Sequence, residues 1–330
     1  MFSAGIDLCK KYDLIIGHFG HYPVHIAAEK FKVPNISVTL THNTIPSKYN
    51  PPACAPDIGK WASPLLWKLG RYFMNKSHLP RVNNLRKENA LPEAKDIMLD
   101  VWPSKLMNLI GVSPVFCKKQ KDWGQNHQVC GFLNLPQNSD NEKLPYSLKQ
   151  FLNTGEPPVY MNFGSMMPLK SEDRKIIYEL FKETAKLANC RIILQIDESE
   201  QDLYKSDSKT YYTPPVNHLK VFPYCSAIVH HGGAGTTQSA TLSGVPSIVV
   251  SFMVDQAFWG TELKRIGIAP EAIPFKKLTP KKLANKVKYV LNSPHMKEKA
   301  NEIGKEIKKE DSVKRAVKLI GELINDRFNK

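Results

Sequence analysis

The sequence predicts an α/β protein of two doubly wound, Rossmann-like domains, with a ligand cleft at the carboxyl ends of the strands. Three observations predict it. β-Branched runs alternate with apolar-faced helical stretches on both sides of the chain's midpoint. A polar, proline-bounded break, PQNSDNEKLP (136–145), separates the two series. The stretch IVHHGGAGTT (228–237) ends an apolar run in histidine and glycine before helical character resumes.

The elements follow in order. DLIIGHF (13–19) and NISVTL (35–40) read as strands flanking an apolar-faced helix, VHIAAEKFKV (24–33), the unit that builds a parallel sheet. Residues 43–100, rich in proline, aromatics and base, read as irregular. Within them WASPLLWKLGRYFM (61–74) has two readings: a helix packed over the sheet, or a surface that rests on a membrane. Strands return at MNLIGVSPVF (107–116) and HQVCGFLNL (127–135). Past the break come a strand, PVYMNFGS (158–165), and a helix with acid in its first turn (171–190). RIILQI (191–196), LKVFP (219–223), YCSAIV (224–229) and PSIVVSFM (246–253) continue the strand series, and basic helices close it. The division is therefore 1–137 and 138–330.

Composition narrows the class. With 330 residues, 42% hydrophobic and 23% charged, the chain suits a water-soluble protein with two cores. No apolar run approaches the ~20 residues of a membrane span, and the first residues lack the pattern of a secretory leader. Six cysteines (9, 54, 117, 130, 190, 225) without C-x-x-C spacing point to reduced thiols in the cytoplasm, and to no zinc site. The net charge is +15, and residues 276–330 alone hold 16 basic against 7 acidic side chains. These lysines alternate with aliphatics at helical spacing, so they read as solvated helix faces and not as a nucleic-acid surface.

The glycine turn has its own chemistry. A glycine turn opening a helix presents unpaired N–H groups and the positive end of the helix dipole, which together suit an anion. Thr236 and Thr237 are candidate caps and hydroxyl donors, and a strand-end histidine reaches an anion with a ring N–H. The competing reading is a tight strand-to-helix turn with His230 and His231 as core residues. The spacing matches neither G-x-G-x-x-G nor a Walker loop.

HHGGAGTTQSATLSGVPSIVVSFMVDQAFWG (230–260) resembles the donor-binding segment of family 1 UDP-glycosyltransferases, on the branch of sterol 3β-glucosyltransferases and macrolide and glycopeptide glycosyltransferases. YMNFGSM (160–166), SPVFCKKQKDWGQNHQVCGFLNL (113–135), residues 13–40 and RVNNLRKENALP (81–92) are similar to further segments of that branch, in the same order. The resemblance implies the GT-B fold, with nucleotide sugar mainly on the second domain and acceptor mainly on the first. It implies an inverting transfer of a hexose, glucose first, from a UDP-sugar to a hydroxyl of a sterol, lipid or other hydrophobic acceptor, with no metal required. His231 matches the histidine that contacts the diphosphate. Ala234, Gly235 and Thr236 match the turn that takes phosphate oxygens, and Ser165 the serine that reaches them from a neighbouring strand. Asp255 and Gln256 match the acid–amide pair on the sugar hydroxyls. Val216 and His218 match the loop that cradles the base. Thr213 and Ser239 fall where plant members carry a uracil-stacking tryptophan and a ribose-binding glutamate.

The front of the chain departs from that pattern. Members carry a G-x-x-G-[HD]-x-x-P loop bearing the general base; Gly17, Gly20 and His21 imitate it, but Pro23 comes one position early. The resemblance places Met1 inside a typical member, with the first strands and the base loop missing and an unpaired sheet edge left behind. His21 is the weak candidate for a substitute base, and His18, His21 and His25 have a spacing that Pro23 spoils for a helical metal site. The alternative function is a nucleotide-sugar-binding fragment without turnover. UDP-GlcNAc epimerases and MurG-like transferases share the fold but suit the HHGGAGT…DQ pairing less well.

Overall fold

The computed structural model describes residues 1–53, 55, 59, 61–134 and 144–328, with side chains through 325. Two units result, Met1–Leu135 with Asp311–Lys330, and Pro136–Glu310. The last twenty residues therefore go to the first unit, a correction to the 138–330 expectation. Most of the expected break, 136–143, lies outside the described residues.

In the first unit, α1 (Phe2–Cys9) precedes β1 (Ile15–His18), α2 (Tyr22–Phe31), β2 (Asn35–Thr39), α3 (Ser63–Glu88), β3 (Met107–Ile110) and β4 (His127–Val129). The four strands are all parallel in the order β1-β2-β3-β4, in register Ile15↔Asn35, Ile36↔Met107 and Asn108↔His127. Strand alternation gives the sheet two different faces. Ile36, Val38, Met107 and Leu109 form one face; Ser37 lies on the other, and its hydroxyl donates to the Trp102 carbonyl at 2.8 Å. Between α3 and β3 a π-helical turn, Ile97–Val101, is held by Asp96. That carboxylate is buried and accepts from Met98 N, Leu99 N, Arg71 Nε (2.7 Å) and Asn75 Nδ2 (3.0 Å).

The second unit runs α4 (Tyr146–Asn153), β5 (Val159–Met161), α5 (Ser171–Ala188), β6 (Ile192–Gln195), β7 (Thr210–Thr213) and α6 (His218–Val221). It continues with β8 (Ala227–His230), α7 (Ala234–Leu242), β9 (Ser247–Ser251), α8 (Val254–Arg265), β10 (Ile273–Pro274), α9 (Pro280–Leu291) and α10 (Pro294–Ile307). Its sheet is parallel throughout, ordered β10-β9-β8-β5-β6-β7. Strand order reverses between β5 and β8, and in doubly wound sheets ligands bind outside the carboxyl ends at that reversal.

The remaining helix, α11 (Ser312–Phe328), turns back to the first sheet. Ala316, Leu319, Ile320 and Leu323, spaced i, i+3, i+4 and i+7, pack on Ile36, Val38 and Leu109, while Lys314 and Lys318 stay outside. The basic pattern is thus a solvated face, but the apolar stripe belongs to the other unit's core.

Three local expectations fail. Residues 75–88, read as irregular, continue the helix that is one reading of 61–74, giving a single helix of 26 residues (Ser63–Glu88) that passes through Pro80. LKVFP, read as a strand, is helical, because Asn217 caps it by accepting from Leu219 N. The strand read over 224–229 begins only at Ala227, and TYYT (210–213) supplies an edge strand that the series omits.

Candidate functional site

β8 is buried along its whole length and delivers His230 and His231 to the carboxyl end of the sheet. Gly232 then turns the chain with φ +83, a conformation that side chains rarely adopt. A Cβ there would also lie 2.7 Å from the main-chain oxygen of Gln256, so the turn is seated against the first turn of α8. α7 starts at Ala234 with Gly233 as N-cap and no side-chain cap. The expected threonine caps are absent: the Thr237 hydroxyl is buried without a partner, and Thr236 is half-buried in the helix. The first turns of α7 and α8 therefore lie side by side at the sheet's strand-order reversal, both with N–H groups unused by their own helices.

The two histidines differ in role. His230 is fully buried, and its Nδ1 accepts from Gly232 N at 3.1 Å, which leaves the ring proton on Nε2. Burial pushes its pKa down to about 3, with the neighbouring rings of His231 and His218 adding to the fall. His230 thus fixes the turn as a neutral acceptor. The His231 ring lies in a slot between two glycines: a Cβ on Gly164 would come within 3.0 Å of Cε1, and one on Gly233 would collide with Nε2. Its Nδ1 is buried with no hydrogen-bond partner, so a proton on Nε2 leaves no buried N–H unpaired. Burial lowers the His231 pKa, and the Asp255 carboxylate opposes that shift.

The remaining expected residues fall as follows. Ser165 follows β5 in a short turn (Gly164–Met166) and is exposed; Asn162 caps that turn, accepting from Gly164 N at 3.0 Å. β5 and β8 are bonded neighbours, so Ser165 and the Gly232 turn leave the sheet from adjacent strands. Ala234 and Gly235 form the first turn of α7, with Gly235 exposed. Asp255 is exposed in the first turn of α8. Gln256 is buried, and its Oε1 accepts from Phe252 N (2.7 Å) and Met253 N (3.2 Å). The amide oxygen is thus committed to the start of α8, which leaves the Nε2 donor for the sugar hydroxyls of the expectation.

Val216 is half-buried against the core that contains Tyr160 and Phe222. His218 stacks on Phe222 with centroids 4.4 Å apart, and burial pulls its pKa down to about 4. Thr213 is fully buried and donates to the Pro214 carbonyl at 3.1 Å, and the Ser239 hydroxyl donates to the Gly235 carbonyl. Sequence reasoning did not single out Asn162 or Gly164; the Asn-Phe-Gly spacing after a buried strand was the signal available.

In the first unit, His21 is exposed at the N-cap of α2, its ring 5.7 Å from that of His18. His18 Nδ1 accepts from Gly20 N, and His25 Nε2 lies 3.2 Å from the His18 carbonyl, so the rings do not converge on a common point. A cavity of about 520 Å³ opens on the polar face of this sheet, between Phe19, Ile45, Met98 and Trp102, with Ser37 and Asn108 in its wall. Among the described residues no helix is long and apolar enough to cross a membrane, and the five described cysteines are free thiols.

Two α/β units with parallel sheets have the GT-B fold. Among the described residues only the second is doubly wound, with a glycine turn at its strand-order reversal; the first runs β1 to β4 without one, a correction to the expected pair of doubly wound domains. Over 98% of its length the chain superposes on the glycotransferase of kitacinnamycin (TM-score 0.68, 19% identity, 81% of that chain). It also superposes on the glycosyltransferase VinC in complex with dTDP (TM-score 0.65, 18% identity, 98% of this chain and 75% of that one). Residues 180–323 match the erythromycin biosynthesis protein CIII-like, C-terminal domain. A sterol 3-beta-glucosyltransferase of Arabidopsis thaliana is 34% identical over 208 residues, covering 62% of this chain and 32% of that protein. O-mycaminosyltylonolide 6-deoxyallosyltransferase of Streptomyces fradiae is 29% identical over 247 residues, covering 74% of this chain and 57% of the relative. These relatives and solved structures are glycosyltransferases, and the chain is similar to them in sequence and in fold. It spans about a third of the length of the plant sterol enzyme it matches.

Proposed function

We propose that the chain binds a UDP-sugar, UDP-glucose first, and moves the hexose with inversion to a hydroxyl of a sterol, lipid or other hydrophobic acceptor. The observation that carries this reading is the pairing of the α7 and α8 first turns around Gly232, with His231 slotted between Gly164 and Gly233. In this reading the diphosphate lies on the amides of Ala234, Gly235 and Thr236. His231 and Ser165 donate to its oxygens, and Asp255 accepts from the sugar hydroxyls. Fixed donors aimed at the departing phosphate stabilise charge as it develops, so UDP leaves without a divalent cation. Val216 and His218 flank the base. Phe19, Ile45, Met98 and Trp102 in the first unit's cavity favour a hydrophobic acceptor. A place in the cytoplasm completes the reading.

Calorimetry of UDP tests the donor site. His231→Ala weakens UDP by about tenfold, about 1.4 kcal/mol; an unchanged affinity removes the phosphate role. The same titration with TDP tests the base. UDP release from UDP-glucose with a sterol present, with and without EDTA, tests transfer and the dispensability of metal. A second reading, nucleotide-sugar binding without turnover, is favoured by one observation: His21 is exposed and its ring neighbours the His18 imidazole, not an orienting carboxylate. UDP binding with no acceptor-dependent release establishes that reading instead.

A further inference from the structure

We propose that the outer face of α3 docks on an anionic lipid bilayer surface. The helix has two sides of opposite character. Its inner side anchors it: Trp67 is buried with Nε1 donating to the Asn50 carbonyl at 2.7 Å, Val82 is in the core, and Arg71 and Arg86 are held by Asp96 and Glu29. Its outer side carries Leu65, Leu69, Tyr72 and Phe73, exposed by 69%, 53%, 60% and 59%. Their spacing, i, i+4, i+7 and i+8, puts all four on one helical stripe. Trp61, 98% exposed, lies just before the first turn. Single exposed apolar residues are ordinary; a contiguous stripe of this kind marks an interaction surface.

Charge decides the partner. From Gly59 to Lys87 the sequence holds seven Lys or Arg and no Asp or Glu. Lys68 and Lys76 border the exposed stripe, and neither has an acidic partner among the described residues. A second copy of this chain would bring like charges together across a two-fold axis, which opposes self-association. A bilayer with anionic headgroups satisfies both features at once. Leucine and aromatic rings enter the headgroup boundary, with the tyrosine hydroxyl left at the wet edge, and the lysines extend to the phosphates. The docked helix lies in the plane of the surface and does not span it.

Co-sedimentation of the full chain with phosphatidylserine–phosphatidylcholine vesicles tests this. The chain is expected to sediment with them, less with phosphatidylcholine alone, and less as salt rises. Leu69→Gln/Tyr72→Gln/Phe73→Gln is expected to lower the bound fraction by about tenfold. Lys68→Glu/Lys76→Glu is expected to weaken binding to anionic vesicles only. Both variants change exposed side chains and keep the UDP affinity of the parent, which separates this outcome from any failure of the donor site. Three results overturn the proposal: no sedimentation of the parent with anionic vesicles, undiminished binding of the triple variant, or a dimer of the parent that the triple variant abolishes.

Discussion

At the scale of residues, the site depends on two adjacent imidazoles held neutral by burial for different ends. His230 accepts from Gly232 N inside the core, and its pKa is pushed down to about 3 from 6.5. The unfolded chain binds that proton near pH 6.5, so stability falls as pH falls below 6.5 and continues to fall to about pH 3. One such group contributes about 1.4 kcal/mol per pH unit. Urea unfolding between about pH 5.5 and 4.5 should show at least that slope, since other buried histidines add to it, and His230→Asn should flatten it by about 1.4 kcal/mol per pH unit; an unaltered slope would show that His230 is not among the groups responsible. The sequence made the strand–turn–helix geometry legible through HHGGAGT, because the glycines have backbone reasons that survive without coordinates. It did not reveal that Gln256 caps α8. An amide in a first helical turn reads equally well as a ligand group or a cap, and only its burial separates the two.

At the scale of elements, α3 is where sequence reading stopped short, taking a helix no further than residue 74, and the reason is physical. Pro64 and Pro80 punctuate the segment, and Gly70 interrupts its apolar spacing. Pro64 is tolerated because the first turn has no i−4 bond to lose. Pro80 is carried by tertiary bonds on either side, from Arg71 and Asn75 to Asp96 and from Arg86 to Glu29. These partners are 21 to 57 residues away in sequence, beyond any local window. Removing the carboxylate should therefore matter more than its single position suggests. Asp96→Ala leaves Arg71 Nε, Asn75 Nδ2 and two main-chain N–H groups without their acceptor, at a cost of about 3 kcal/mol. Lys182→Ala, which breaks the exposed pair with Glu179, should cost less than about 0.5 kcal/mol. Comparable losses in the two variants, measured by chemical denaturation, would refute the anchoring role of Asp96.

At the scale of the whole molecule, the alternation of strands and helices made both parallel sheets legible, and the proline-bounded break fell beside the observed division at Leu135. What the pattern could not supply was the allegiance of the last helix. Amphipathic spacing specifies that a face is buried, not which sheet buries it, and α11 chooses the first sheet through Ala316, Leu319, Ile320 and Leu323. The polypeptide consequently passes between its halves twice. A protease site engineered into 136–143 and then cleaved would sever only one of those passages. The leading fragment would still clasp the tail of the other through α11, and the two pieces should co-elute as one particle until denaturant releases them. Elution as two separate bodies in native buffer would mean that the clasp is too weak to hold them.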